Sequence, residues 1–536
     1  MRRSVLAALI ACLFLAAGPQ DEQGGRVVIG VRGDVDSLNI YTASTILSQE
    51  VANLLFPHLA TEKDDFLEGP PTFDPALASR WVFSEDGLTL DFHLDERMRW
   101  SDGRPVTSRD VLFSHQAAVS PDVAWVGREV KEFIQSVIAP DDRTVRFRFT
   151  RRYPYQLMDA VEGNILPEHH YVAIPFADWP KREFGTAPVV SGPYRLVEHR
   201  PGEAVVLEAN PGYGGTAPRI PRVVFRVLPD VATLLAELES GGIDVMENVP
   251  AAQAGRLAAN PRLELVRVHD LSYTFVCWNL RSPLFSDPRV RRALTLAIDR
   301  QAIVDGILMG NGRVLATPIM SLFWAFDPAI APWPHDVKAA RALLAEAGWA
   351  DTDGDGVLDK EGRAFRFVLE TNQGSALRHD VAVMVQDHLK KVGIDARPRV
   401  LEWRAYLEKH DAHDFEAFVG GHREATKVDL KSLLHSSAMT GGYNHAGYAS
   451  GAMDGLIDKA RMETDTARAR ALWSGTQKLF HDDQPFTVLF EMQRINAVSR
   501  RIEGVRMSPR SALTALPSWR LRETGAKPAA GGRGGG

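Results

Sequence analysis

The sequence predicts an α/β fold, because segments with the periodicity of strands and of helices alternate along most of its 536 residues. In residues 88–94 and 145–149, apolar side chains alternate with polar ones, which is typical of half-buried strands. Further along, an apolar strand at 365–370 precedes a helix face at 381–392 and a second strand at 394–400. Such a strand–helix–strand unit favours two parallel strands joined by a right-handed crossover.

A short apolar run predicts one further strand, and glycines mark the predicted ends of two helices. The segment RVVIGV at residues 26–31 predicts another strand. Apolar residues at helical spacing predict a helix over 337–347 that ends at Gly348. Gly393 holds the equivalent position after the helix at 381–392, where a left-handed residue commonly ends a helix.

Residues 285–304, FSDPRVRRALTLAIDRQAIV, predict a helix with an N-cap at Asp287 and a proline at its first position. Its apolar residues form one stripe, which is expected to face the core. They are Val290, Ala293, Leu294, Ala297 and Ile298. The arginines of the segment fall mostly off the stripe, and they are expected to be ordinary surface charges; they are Arg289, Arg291, Arg292 and Arg300.

Composition is that of a globular protein, with 45% hydrophobic and 24% charged residues. The net charge of −6 and the scattered basic residues exclude a strong pull towards nucleic acid or an anionic membrane. At about 150 residues per domain, the length suggests roughly three domains.

The N-terminus predicts export, because a short basic start precedes an apolar run at residues 5–17 that is too short to span a bilayer. We expect a signal peptide over residues 1–20. An alternative is a lipoprotein signal, LIAC, with Cys12 as the lipidated residue. Cys277 is then the only cysteine of the mature chain, so no internal disulfide is expected, and its apolar surroundings favour a small buried residue.

Motifs of catalysis are absent from the sequence, which contains no HExxH, P-loop, GxSxG or paired CxxC. We therefore expect no enzyme and no cofactor. A remote alternative is an exported hydrolase that uses scattered Asp, Glu and His residues, and it would need a pair of catalytic groups converging in a cleft.

Two polar clusters have the residue types of metal sites. Asp351, Asp353 and Asp355 have the spacing of a calcium loop, but Gly362 stands where its bidentate glutamate belongs, so we expect an Asp/Gly turn without metal, and calcium binding is the alternative. The second cluster is HDAHD at residues 410–414. His410 and His413 could share a helix face, but no third ligand is evident, so we expect a solvated polar turn, and a metal site is the alternative.

Eight segments in chain order resemble the extracellular solute-binding proteins of family 5, the oligopeptide, dipeptide and nickel receptors of ABC importers. They are 75–115 with WSDGRPVTSRDV, 191–213 beginning SGPYRL, 238–245 LESGGIDV, 273–280 YTFVCWNL, the helix segment 285–304, 348–359 GWADTDGDGVLD, 390–407 ending LEWRAYL, and 444–460 NHAGYASGAMDGLIDKA. The similarity covers residues 26–522, nearly the whole mature chain.

The resemblance implies a two-lobe periplasmic-binding-protein fold of type II, in its large peptide-binding variety, with an extra α/β subdomain on the first lobe. The implied boundaries are 26–53, 190–272 and 497–522 for the first lobe, 54–189 for the extra subdomain, and 273–496 for the second lobe. The low-complexity tail at 523–536 is expected to be disordered.

The function that the resemblance implies is that of a periplasmic, monomeric receptor that captures a peptide or peptide-like solute between its lobes and delivers it to an inner-membrane ABC permease. Closure would be a hinge motion stabilised by ligand contacts to both lobes. Candidate ligand-binding residues follow from matching positions and from aromatic character. They are Tyr273, Trp278, Asn279, Trp403, Gly421, His422, Tyr443 and Asn444.

The sequence departs from the family pattern at GGHREATKVDL, residues 420–430. His422 stands in place of a tryptophan, and Ala425 falls near an aspartate that pairs with the free amine of a peptide in the family. Glu424 and Asp429 are the two candidates to substitute for that aspartate. Alternatively, the receptor binds a metal chelate or another non-peptide solute, for which His422 or the His410–His413 pair would matter.

Overall fold

The computed structural model describes residues 25–182, 184 and 187–522. The predicted signal peptide and tail, with Cys12, lie outside this part of the chain. The strands are β1 Arg26–Val31, β2 Ala60–Glu62, β3 Phe73–Pro75, β4 Ala78–Phe83, β5 Thr89–Leu94, β6 Ile134–Asp141, β7 Thr144–Phe149, β8 Tyr194–Arg200, β9 Ala204–Ala209, β10 Arg222–Val227, β11 Val245–Met246, β12 Leu263–Trp278, β13 Gly312–Val314, β14 Asp359–Lys360, β15 Arg363–Ala364, β16 Arg366–Asn372, β17 Asp395–Leu401, β18 Ala417–Arg423, β19 Phe486–Ser499, β20 Ile502–Glu503 and β21 Arg520–Leu521.

The α-helices lie between these strands and pack against the sheets. They are α1 Ile46–Leu55, α2 Ser108–Val119, α3 Gln156–Val161, α4 Glu168–Tyr171, α5 Val231–Ser240, α6 Ala251–Ala258, α7 Pro288–Ala297, α8 Arg300–Ile307, α9 Val337–Glu346, α10 Ala376–Lys390, α11 Trp403–Asp411, α12 Lys431–Leu434, α13 Gly451–Met462 and α14 Thr466–Asp483. Short 3-10 turns cover Val126–Lys131, Phe176–Lys181, Ser436–Met439 and Leu516–Ser518.

One large mixed sheet joins the two lobes, in the strand order β17-β16-β18-β12-β19-β11-β1-β10-β9-β8, with β13 also paired to β19. The long strands β12 and β19 run antiparallel from one lobe into the other. At one end they adjoin β11 of the first lobe, and at the other end β12 adjoins β18 of the second lobe. Their register shifts between His269 and Tyr273, so the ladder is irregular where the chain crosses between the lobes.

A separate four-stranded antiparallel sheet, in the order β4-β5-β7-β6, forms the extra subdomain with its own apolar core. The first lobe is built on a cluster around Val27, Leu55 and Phe225, and the second lobe on a cluster around Trp278, Phe285 and Leu389. The boundaries predicted for the lobes stay predictions.

The strand predictions are confirmed at β1, β5 and β7, and the crossover unit is confirmed as β16, α10 and β17 with parallel strands. The helix predicted over 337–347 is confirmed as α9. Gly348 and Gly393 both have positive φ, as their positions after α9 and α10 require.

The single helix predicted over 285–304 is wrong in its length. Asp287 accepts a hydrogen bond from the Arg289 backbone N–H and Pro288 begins α7, as predicted, but α7 ends at Ala297. Asp299 then caps a second helix, α8, by accepting a bond from the Ala302 backbone N–H. An aspartate that can serve as an N-cap interrupts the helix even though the apolar stripe runs through to it.

Two of the four arginines expected at the surface are buried. The Arg291 guanidinium donates to the carbonyls of Phe285, Ser286, Asp483 and Gln484. The Arg300 guanidinium donates hydrogen bonds to the carbonyls of residues 315, 333 and 488, which belong to three separate segments of the chain. Their hydrogen bonds to backbone oxygens offset the desolvation of the charge.

Candidate functional site

A cavity of about 690 Å³ lies where the two lobes and the extra subdomain meet. The first lobe contributes α1 and the residues that follow it, and the subdomain contributes apolar core residues such as Phe147 and Met158. The second lobe contributes the end of β18 and the residues that follow it, Arg423 to Thr426, while Leu271 lies at the predicted end of the first lobe. A site enclosed by separate units of the fold is where ligand pockets preferentially form.

As far as the structure describes the chain, the end of β18 has an unpaired backbone edge next to the cavity, and Arg423 is the residue of that edge which lines the cavity. β18 pairs with β12 as far as Arg423, but on its other side β16 pairs only with Ala417 and Phe418. Within the described chain, the second edge of residues 420–423 therefore has no strand partner. An edge of this kind can accept an extended peptide as an added strand.

Glu424 follows this edge and lines the cavity. Its backbone N–H donates to the Leu271 carbonyl at 2.7 Å, and its side chain is only 10% exposed. In the described chain, no donor reaches Oε1 in hydrogen-bonding geometry, although His422 Nε2 lies 3.5 Å away. Burial, followed by the nearby Asp429 carboxylate, raises the pKa of Glu424 to about 8.

His422 cannot neutralise Glu424 as a cation at neutral pH. Burial, with a smaller effect of His445, lowers the pKa of His422 to about 4, so the ring is uncharged. The ring lies against Tyr273 and Tyr443, with centroid distances of 5.9 and 5.6 Å. The Tyr273 hydroxyl is buried without a hydrogen-bond partner among the residues described.

Asp429, the other acidic substitute, is already engaged. It accepts a hydrogen bond from Arg461 Nε at 2.7 Å and another from the Lys431 backbone N–H. It is not one of the residues that line the cavity. Of the two substitutes, only Glu424 combines a place on the cavity wall with an unused carboxylate oxygen.

The segment after Glu424 holds the second lobe against the subdomain. Lys427 Nζ lies 3.1 Å from both carboxylate oxygens of Asp159, and the Val428 backbone N–H donates to the Tyr155 hydroxyl. Asp159 also accepts a bond from the Tyr153 hydroxyl at 2.7 Å. These contacts anchor the segment that follows Glu424, and so help to position Glu424 in the lining of the cavity.

Among the predicted ligand-binding residues, Trp403 and Tyr443 are exposed, at 48% and 60%. Trp403 begins α11 and stacks on Tyr406 at a centroid distance of 5.6 Å. Gly421 lies on the free edge of β18, where an added Cβ would come within 2.9 Å of the Arg378 guanidinium. These residues present free surface on the second lobe, and their contact with ligand stays a prediction.

Apart from these three and His422, which is described above, the remaining four candidates have contacts inside the protein. Tyr273 is buried, and the buried Trp278 packs against Phe285 and donates to the Thr487 hydroxyl. The Asn279 amide donates to the carbonyls of residues 413 and 415, and the Asn444 amide to those of residues 435 and 448. These amides anchor loops of the second lobe, and their contact with ligand also stays a prediction.

Sequence reasoning missed the acidic wall residues Glu50 and Glu62 and the neighbouring Arg510. Glu50 stands among the apolar residues of α1, and a charged residue on a buried helix face was the available signal. Arg510 Nε lies 3.2 Å from Asp64 and 3.7 Å from Glu62. No local pattern links these residues, because they come from opposite ends of the chain.

The aspartate loop partly keeps the geometry of a cation site. Carboxylate oxygens of Asp351, Asp353 and Asp359 lie within 4.8 Å of one another, whereas Asp355 is not part of the group. Each carboxylate already accepts backbone N–H bonds within the loop, as in an Asp/Gly turn. These are the contacts of the expected Asp/Gly turn, and calcium binding stays the alternative prediction.

The histidine cluster does not form a metal-ligand group in the described chain. His410 is buried, with Nε2 3.3 Å from Glu370, so the expectation of a solvated turn is wrong at this residue. His413 has positive φ, and its ring nitrogens bond the carbonyls of Met439 and His445. The buried Cys277 confirms the sequence interpretation of that residue.

No helix in the described part of the chain has both the length and the apolar character needed to cross a bilayer.

Comparison with known proteins shows what this chain is similar to. The model of the bacterial extracellular solute-binding proteins, family 5, matches residues 72–443. The oligopeptide-binding protein AppA of Bacillus subtilis is 32% identical over 506 residues, which cover 93% of this chain and 92% of that protein. The dipeptide-binding protein of Escherichia coli is 25% identical over 468 residues, covering 83% and 86%.

Solved structures show the same architecture. The structure of Bacillus subtilis AppA in complex with a nonapeptide has a TM-score of 0.78 and 31% identity, and the match covers 93% of this chain and 99% of that one. NikZ of Campylobacter jejuni in complex with Ni(L-His) also has a TM-score of 0.78, at 22% identity, with 92% and 99% covered. The predicted two-lobe fold is confirmed.

Proposed function

Because the chain belongs to family 5 of the bacterial extracellular solute-binding proteins, we propose that it is a receptor which encloses a peptide or peptide-like solute in the cavity between its lobes. The family consists of solute-binding receptors rather than enzymes, and its members are extracellular or periplasmic. The observation that carries the proposal is the unpaired edge of β18, which leads directly to the buried carboxyl of Glu424.

The backbone of the solute pairs with residues 420–423 as an added strand. Main-chain hydrogen bonds supply affinity without regard to side chains, and the apolar wall from the subdomain accepts a side chain. The cavity volume of about 690 Å³ falls within the range of about 300–1,000 Å³ usual for small-molecule sites, so a short peptide fits better than a long one.

Glu424 takes the place of the family's aspartate and binds the free amine of the solute. A buried ammonium needs a carboxylate partner, and Asp429 is held by Arg461. Before binding, Glu424 is mostly protonated at pH 7, because its pKa is about 8. An ammonium within about 4–6 Å favours the charged carboxylate, so binding releases the proton.

Delivery to a membrane permease follows from closure of the lobes. The irregular pairing of β12 with β19 near His269 supports a hinge at the crossing. The receptor closes because the ligand contacts both lobes, and the closed form docks as a monomer on an inner-membrane ABC permease. We place the protein in the periplasm, with lipidation at Cys12 as the alternative to free secretion.

Mass spectrometry of solute that co-purifies with the exported protein tests the proposal. Calorimetry with a short-peptide library follows, and each bound peptide is compared with its N-acetylated form. We expect at least one free peptide to bind, with a loss of tenfold or more on acetylation. If no peptide binds while a metal chelate does, the peptide assignment fails. If acetylation leaves affinity unchanged, Glu424 is not the amine partner.

A further inference from the structure

The wall of the cavity carries a second buried carboxyl group that has no cationic partner, that of Glu50 on α1. We propose that the solutes of this receptor carry a second positive charge, such as the side chain of a lysine or arginine, and that Glu50 binds it. This inference rests on the proposed function, because it names a further property of the peptide that the cavity accepts.

Glu50 is only 6% exposed, and it lines the cavity from the first lobe. Ser511 Oγ donates a hydrogen bond of 2.8 Å to its Oε1. In the chain as described, no other protein donor bonds the carboxylate, and no lysine or arginine nitrogen lies within 4.0 Å of it. One oxygen is thus left for a ligand.

Charged groups around Glu50 leave a surplus of one carboxyl. The acidic groups are Glu50, Glu247 and Asp270, and the basic groups are Arg423 and Arg494. Both guanidinium groups are drawn to Asp270, at 3.1 Å and 3.6 Å. These three carboxyl groups share two guanidinium groups, and a proton or a bound cation on Glu50 would balance the third.

Both arginines also have backbone partners, and Arg423 donates to the Arg510 carbonyl at 3.5 Å. Arg494 also donates to the carbonyls of Ser508 and Pro509, the latter at 2.9 Å. Burial and the neighbouring Glu247 carboxyl raise the pKa of Glu50. A raised pKa favours the protonated carboxyl in the empty cavity, and a ligand cation would displace that proton.

Matched tripeptides test the inference directly. In Ala-Lys-Ala and Ala-norleucine-Ala the central side chain has the same four carbons, but only lysine adds a terminal ammonium, and the lysine is also placed at the first and third positions. Titration calorimetry with the wild-type receptor should show at least one lysine peptide binding tenfold or more tightly than its norleucine counterpart. In Glu50→Gln the preference should fall to twofold or less, whereas Glu96→Gln on an exposed loop keeps it.

Proton counting supplies a readout that does not depend on the variant. Calorimetry of the wild type at pH 7 in buffers of different ionisation enthalpy should show greater proton release with the preferred lysine peptide than with its norleucine counterpart. Equal affinity and equal release for the two peptides would overturn the role of Glu50 and leave the peptide receptor intact. If neither these tripeptides nor any member of the short-peptide library binds, the proposed function itself fails, and the inference with it.

Discussion

Replacing Glu424 with glutamine should change how stability depends on pH. The Glu424 carboxyl has a pKa of about 8 in the folded protein, against an ordinary value of 4.5. The folded state therefore binds a proton more tightly than the unfolded state. The contribution of this group to stability is complete below pH 4.5, and it is lost as the pH rises to about 8.

The size of the effect follows from the two pKa values. One pKa unit corresponds to about 1.4 kcal/mol, so ionising Glu424 should lower the free energy of unfolding of the wild type by about 4 kcal/mol between pH 5 and pH 9. Glutamine keeps the shape of the protonated carboxyl and cannot ionise. The free energy of unfolding of Glu424→Gln, relative to that of the wild type, should therefore rise by about 4 kcal/mol between pH 5 and pH 9.

Urea unfolding at five pH values from 5 to 9 measures the difference, with the fluorescence of the protein's tryptophans as the signal. The Glu96→Gln variant, changed on an exposed loop, should follow the wild type at every pH. A difference between Glu424→Gln and the wild type that stays constant with pH would show that Glu424 is ionised throughout. The cavity would then not provide the low-dielectric surroundings on which the proposed binding of an ammonium by Glu424 depends.

Four further substitutions test the interior packing and the exposed tryptophan, each followed by urea unfolding and Trp403→Ala also by peptide titration. Arg300→Ala should lower the free energy of unfolding by about 3 kcal/mol or more, because three buried carbonyls lose their donor. Lys427→Met should lower it by about 3 kcal/mol, since Asp159 keeps its burial and loses its cation; a loss under 0.5 kcal/mol would contradict the bridge. Trp403→Ala should weaken peptide binding about tenfold with little loss of stability, because this side chain is exposed. Trp278→Ala should lower the free energy of unfolding by about 3–5 kcal/mol, because that side chain is buried. Similar losses of stability in the two variants would refute the distinction between an exposed and a core tryptophan.

Local patterns predicted the elements well where one signal acted alone. The alternation at β5 and β7 and the crossover from β16 to β17 needed only periodicity and glycine positions. The helix at 285–304 carried two signals, an apolar stripe and a capping aspartate at Asp299, and the cap prevailed. Periodicity also could not show that Arg291 and Arg300 meet backbone carbonyls from distant segments.

The site was less accessible to sequence reasoning, because its partners are remote in the chain. Ser511 and Glu50 form a hydrogen bond across a separation of 461 residues. Glu424 was recognised only as one of two substitutes for a missing aspartate, and the choice between them needed the bond from Arg461 to Asp429. The resemblance supplied the architecture, whereas the charges of the cavity wall needed the structure.

The two long strands that cross between the lobes also bear on how the protein can be divided. A fragment that contained only the second lobe would have to be cut from within the ladder of β12 and β19, and β11 would lose its neighbour on that side. Strand edges bared in this way invite aggregation. A fluorescent reporter of ligand capture therefore belongs in a peripheral turn, such as the exposed hairpin between β4 and β5, and not at the junction of the lobes.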